Sequence, residues 1–262
     1  MRTISDAFAN SANGKAFIPF ITVGDPSIEV TERLIVAMAD AGADLIELGI
    51  PFSDPTAEGP VIQAANIRAL KNRVTTDDVF NMVERLRAKG CDVPLVIMTY
   101  ANVVFSYGIE RFAAREREVG LAGVILPDVP FEEKNEFSDV FARHGLDVVS
   151  LIAPTSHARI RQIATEARGF IYIVSSLGVT GVRSHITSNI GGMVRLIREA
   201  NPHIPCAVGF GISTPEQAAS MAALSDGAIV GSAIVRMIGE LGSDCVEPVA
   251  DYVRQMANAV HA

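Results

Sequence analysis

The chain has 262 residues, 49% of them hydrophobic and 20% charged, a composition far from the low-hydrophobicity, high-charge regime of disordered chains. Its length excludes a small disulfide-stapled module and lies near the ~250 residues of one α/β barrel. A formal net charge of -8, from 22 Lys plus Arg against 30 Asp plus Glu, disfavours the counterion-release binding on which a nucleic-acid partner depends.

Cys91, Cys206 and Cys245 are widely spaced, odd in number and outside any CxxC pair, which fits a reducing, cytoplasmic setting. No two of His144, His157, His185, His203 and His261 stand four residues apart or beside a cysteine, so no metal site is expected. No apolar h-region follows Arg2, and no signal peptide is expected.

In chain order, a helix is expected over Thr3–Asn10, then a first strand over Phe17–Thr22 and an amphipathic helix over Thr31–Ala41. The second strand, Asp44–Leu48, carries Glu47 inside an apolar run. An unpaired buried carboxylate is costly, and desolvation raises its pKa. Glu47 is therefore either satisfied by an Arg or a backbone amide, or a general acid/base tuned towards neutrality. The loop after it, Pro51–Pro60, adds Asp54 and Glu58. A helix over Thr76–Lys89 opens on acids in its first turn.

The uncharged stretch Val93–Ile109 approaches the ~18 apolar residues of a membrane span. Pro94, Asn102, Ser106 and Gly108 divide it instead into a strand, Leu95–Met98, and a turn-rich loop. Helix and strand then alternate: Ile109–Glu118, Gly123–Leu126, Lys134–His144, Asp147–Ile152, His157–Glu166 and Phe170–Val174. The loop Ser175–His185, small residues with two glycines, is either a lid or a plain surface loop. The helix Ile190–Ala200, the strand Cys206–Gly209, the helix Pro215–Ala223 and the strand Ala228–Gly231 follow, with a last helix over Pro248–Ala259.

Eight strand-and-helix units with no linker favour a single (β/α)8 barrel over residues 1–262, an α/β TIM barrel with an extra N-terminal helix. A doubly wound open sheet is the alternative. In a barrel the chemistry lies at the strand C-terminal ends, and the glycines of Val208–Ser213 and Val230–Ala233 follow the last two strands, where barrels commonly hold phosphate.

Five segments, Glu47–Pro55, Met98–Asn102, Gly178–Gly181, Gly209–Ser213 and Gly231–Val235, together resemble the tryptophan synthase α subunit family, in the family's order and across essentially the whole chain. The resemblance implies a carbon-carbon lyase that cleaves indole-3-glycerol phosphate to indole and glyceraldehyde 3-phosphate by a retro-aldol step, with no cofactor in this chain. It assigns Glu47 as the acid/base and Glu58 as the group that holds the indole NH. Glu58 stands where the family has an aspartate, one methylene shorter. Tyr172 matches the tyrosine near the catalytic pair; Gly181, Gly211, Gly231 and Ser232 match the phosphate binders; Phe20, Tyr100, Ile125 and Phe210 match the indole slot; and Thr180 matches the lid. It also implies an α2β2 heterotetramer with a pyridoxal-phosphate β subunit that receives indole, docked on Pro51–Pro55 and Asn102–Phe105. A sugar-phosphate isomerase on the same fold, or a phosphate-binding regulatory subunit, are the competing readings.

Overall fold

The computed structural model describes residues 2–174, 187–209 and 211–262. Eight parallel strands close into a barrel in sequence order: β1 (Ala16–Thr22), β2 (Ile46–Gly49), β3 (Leu95–Met98), β4 (Gly123–Ile125), β5 (Asp147–Ile152), β6 (Arg168–Val174), β7 (Cys206–Gly209) and β8 (Gly227–Val230). Pairing of β1 with β8, Ile18 opposite Ile229, closes the ring and settles the choice against an open sheet.

The helices are α1 (Ile4–Asn10), α2 (Ile28–Asp40), α3 (Pro60–Lys71), α4 (Thr76–Ala88), α5 (Ala101–Tyr107), α6 (Ile109–Val119), α7 (Asn135–Arg143), α8 (His157–Glu166), α9 (Thr187–Ala200), α10 (Pro215–Leu224), α11 (Ser232–Leu241) and α12 (Val246–His261). Two departures from the sequence reading matter for the site. The segment read as a turn-rich loop after β3 contains α5, and a helix that the apolar pattern did not reveal, α3, follows the loop after β2.

Alternation along each strand makes two cores. Phe17, Ile21, Leu48 and Ile97 point outward and pack with Leu34, Phe80 and Phe112 of the helical ring. Ile18, Leu45, Val96, Ile125, Val149, Phe170 and Ile229 fill the barrel interior, joined from below by Ile4, Ala7 and Phe8 of α1. Thr3 starts α1 with a capping box to Asp6, and the Phe8 ring meets Phe170 at 5.6 Å between centroids. The N-terminal end of the barrel is thus plugged by apolar side chains, which leaves the C-terminal mouth to the chemistry. The C-terminal turn of α3 is fixed separately: Arg68 clamps Asp25, in the loop after β1, through two 2.7 Å hydrogen bonds. Among the described residues no helix is long and apolar enough to cross a membrane.

Candidate active site

Strand β2 aims Glu47 into the barrel, in register with Phe20 of β1 and Val96 of β3. The side chain is 0% exposed, and neither carboxylate oxygen has a hydrogen-bond partner among the described residues. Neither an arginine nor an amide among them satisfies it. Desolvation pushes its carboxyl up to about 8, so both protonation states are accessible near neutral pH. Four strands away, on the opposite wall of the eight-stranded ring, β6 presents Tyr172. Burial first, and the Glu47 charge second, hold this phenol well above its usual range, so it remains protonated.

Two glycines make room at this level. A Cβ on Gly49 would lie 2.7 Å from the Phe20 ring, and one on Gly209 would run into the Tyr172 ring and hydroxyl. The absence of both side chains lets the two aromatic rings lie across β2 and β7. Around Phe20, Val61, Ile62 and Ala65 of the α3 face, Val235 of α11 and Met98 of β3 form a small apolar cluster. Ile125 lies deeper, fully buried in the inner core with Tyr172.

The loop from Pro51 to Gly59 hangs on Tyr100, the residue that leads into α5. The Tyr100 hydroxyl accepts the Ala57 N–H at 3.1 Å, and its ring packs on Phe52 at 5.2 Å. Asp128, from the loop after β4, accepts the Ala101 N–H at 3.1 Å and so steadies the start of α5. Glu58 turns inward: the Asn66 amide donates to its Oε2 at 2.6 Å, and Gln63 donates to its carbonyl oxygen at 2.9 Å. Burial raises the Glu58 carboxyl, while Asn66 and then Tyr100 oppose the shift. Asp54 is exposed and bonded to its neighbour Ser53, apart from the Glu58, Asn66 and Tyr100 group.

On the other side of the mouth, Gly231 is the N-cap residue of α11 and offers no side-chain cap. The first helical bond is from Val235 N–H to Gly231 oxygen at 3.0 Å, which leaves the amides of Ser232, Ala233 and Ile234 outside the helical ladder, as an anion site needs. Gly211 has φ +78°, a conformation that favours glycine. Thr180, Gly181 and Phe210 lie outside the described residues. Among the described residues no three His, Cys, Asp or Glu side chains converge as a metal would require.

The sequence reading missed Asn66. Its signal was present: Ile62, Ala65, Asn66 and Ala69 form the buried stripe of α3, and an amide in such a stripe needs a partner.

The family model for the tryptophan synthase alpha chain matches residues 7–261. The chain belongs to the tryptophan synthase alpha chain family. A curated relative of that name from Lactiplantibacillus plantarum is 48% identical over 249 residues, covering 95% of this chain and 93% of the relative. The solved tryptophan synthase α subunit of Legionella pneumophila superposes with a TM-score of 0.88 at 39% identity, with 99% of this chain and 98% of that one covered. A chain of the Pyrococcus furiosus tryptophan synthase α2β2 complex superposes with a TM-score of 0.83 at 32% identity, over 93% and 98% of the two chains.

Proposed function

We propose that this alpha-chain family member, one catalytic unit over residues 1–262, cleaves indole-3-glycerol phosphate to indole and glyceraldehyde 3-phosphate. The observation that carries the reading is Glu47, a fully buried carboxyl without a partner among the described residues on the inner wall of a barrel. The indole ring lies in the apolar slot of Phe20, Met98, Ile62 and Val235, with Tyr100 and Ile125 on its other sides, which favours a flat aromatic over a purely polar sugar. The phosphate sits on the free amides of Ser232 and its neighbours and on the Gly211 turn.

Glu47 enters protonated, as its raised pKa requires, and delivers that proton to the indole carbon bearing the glycerol chain. The ring becomes a cationic indolenine tautomer, and ionised Glu58 stabilises it by accepting the ring N–H. Glu47, now ionised, takes the proton of the adjacent glycerol hydroxyl. The C–O bond becomes a carbonyl, the carbon-carbon bond breaks, and its electron pair returns to the ring to restore neutral indole. Glu47 ends protonated, ready for the next turnover. Tyr172, neutral throughout, packs beside this proton path and keeps it dry.

The same reading gives the chain a β subunit partner in an α2β2 assembly, with pyridoxal phosphate on that partner, and a cytoplasmic setting. Pro51–Pro55 and Asn102–Phe105 are the proposed docking segments; Phe105 is 46% exposed.

Indole release by the purified chain, with and without a tryptophan synthase β subunit, tests the proposal. Glu47→Gln is expected to lower turnover by roughly 10³-fold, within the usual worth of a general acid/base, with binding of an indole phosphate analogue retained. Near-normal turnover in that variant overturns the assignment.

A further inference from the structure

We propose that Asn66, acting through Glu58, is a positioning residue that fixes the long carboxylate side chain against the indole N–H. The inference rests on the reading that Glu58 meets the substrate. Asn66 is 3% exposed and occupies a face of α3 where an aliphatic residue packs at no polar cost. Its amide donates to Glu58 Oε2 at 2.6 Å, shorter than the ~2.7–2.9 Å usual for an N–H donor in a charge-assisted bond.

Chemistry explains why an amide suits the place. A carboxylate that must accept a ring N–H has to stay ionised. A lysine or arginine would secure that but would also cancel the negative charge that stabilises the cationic ring. Asn66 stabilises the anion and leaves its net charge intact. The carboxylate has about four acceptor sites, so those not facing Asn66 remain for the substrate. Tyr100, which carries its own acceptor load from Ala57, supports the ionised form from the second side.

Length explains why this residue matters more here than beside an aspartate. Glutamate adds a rotatable bond, and an unanchored glutamate loses that freedom on each substrate encounter. The Asn66 contact prepays this loss, and a 2.6 Å bond to Oε2 is out of reach for a side chain shorter by about 1.5 Å unless the loop moves.

The test measures indole release by the full chain from pH 5.5 to 9 for the parent, N66L, N66S, E58Q, E58D and E58D/N66L, with circular dichroism to verify folding. N66L is expected to lower kcat about 10- to 100-fold, the usual range for loss of orientation. Its KM should change less than about threefold, and the acid limb of its pH profile should move to higher pH as burial acts on Glu58 with only Tyr100 left to oppose it. E58D is expected to retain substantial activity, and N66L added to E58D should cost less than about threefold, since coupled residues are non-additive. If N66L fails to fold, N66S removes the amide at smaller steric cost and is read by the same criteria. An unmoved acid limb, or equal N66L losses in the parent and E58D backgrounds, makes Asn66 a packing residue and overturns the inference. Full turnover in E58Q overturns the role of Glu58 itself, whereas an inactive E58Q with an inert N66L overturns only the part assigned to Asn66.

Discussion

Two glutamates of this chain, Glu47 and Glu116, are fully buried with both carboxyl oxygens unpartnered among the described residues. Only Glu47 is on the barrel wall; Glu116 belongs to the buried face of α6. Desolvation raises both carboxyls, Glu47 to about 8 and Glu116 well above the ordinary 4.5. The sign of the resulting pH dependence follows from proton binding. Below about pH 4.5 both carboxyls are neutral folded and unfolded, and their stability contribution is whole. As pH rises the unfolded chain ionises while the folded one holds its protons, so stability falls until the folded pKa is passed. The expected slope is up to about 1.4 kcal/mol per pH unit for each group. Urea midpoints between pH 5 and 9 should therefore decline for the parent, decline less for E47Q or E116Q, and be flattest for the double variant. E116Q is expected to leave indole release within about twofold, as a substitution remote from the mouth. A midpoint that rises with pH would mean that these carboxyls are ionised in the folded chain. Gly209→Ala is a different case at this scale. Its Cβ would displace Tyr172, and a displacement of about 1 Å at a reacting centre can cost 10²-fold. A kcat lower by at least ~10-fold, with Tm lowered by overpacking that typically costs about 1–3 kcal/mol, is the expected result.

Elements show where sequence reasoning reached and where it stopped. Strands β3, β5 and β7 fall at the residues expected; β3 and β7 are short apolar runs buried almost throughout, as strands covered on both faces are, whereas β5 is only half-buried. Strand β2 begins two residues later than expected, at Ile46, since Asp44 is occupied at the barrel floor: it accepts the Phe17 N–H at 2.7 Å and meets His261 of α12 at 2.8 Å. Helix α3 went unseen because alanines make up half of its buried stripe, and alanine gives weak contrast with the polar face. With α3 unseen, Asn66 had no assigned place, and the support of Glu58 could not be read from a loop alone. Glu47 was legible because a carboxylate in an apolar strand violates the pattern around it. Helix α1 was expected but its task was not: it supplies the floor of the barrel. Phe8 stacks on Phe170, whose ring lies 6.4 Å from Tyr172. Phe8→Ala is expected to destabilise the chain by about 3 kcal/mol, the usual cost of emptying a large aromatic site, with KM for indole-3-glycerol phosphate within about twofold. Thermal unfolding beside steady-state kinetics checks both halves, and a loss confined to kinetics would mean that α1 shapes the site rather than supports the fold.

At the scale of the whole molecule, the proposed partner surface and the proposed chemistry share one structural path. Phe105 and Tyr100 belong to the same short unit: Tyr100 leads into α5, and Phe105 lies on its exposed side with its ring against Phe137 at 5.0 Å. Tyr100 in turn holds Ala57 and favours the ionised form of Glu58. A β subunit seated on α5 and the Pro51–Pro55 loop would thus bias the carboxylate that accepts the indole N–H without entering the barrel. Such coupling is energetic and reciprocal: if the partner favours one arrangement of this loop, a ligand that favours the same arrangement must tighten the partner by the same factor. Phe105→Asp replaces an exposed aromatic of the proposed docking segment with a charge, and aromatics buried at an interface carry a disproportionate share of binding energy. The expected result is a partner affinity at least ~10-fold weaker, with indole release by the lone chain changed less than about twofold because Glu47, Glu58 and Asn66 are untouched. Titrating the β subunit into both chains, with and without an indole phosphate analogue, separates the two effects. The analogue should strengthen partner binding by the same factor by which the partner strengthens analogue binding. Undiminished stimulation of F105D would move the docking surface away from α5, and the path through Tyr100 would then lose its input.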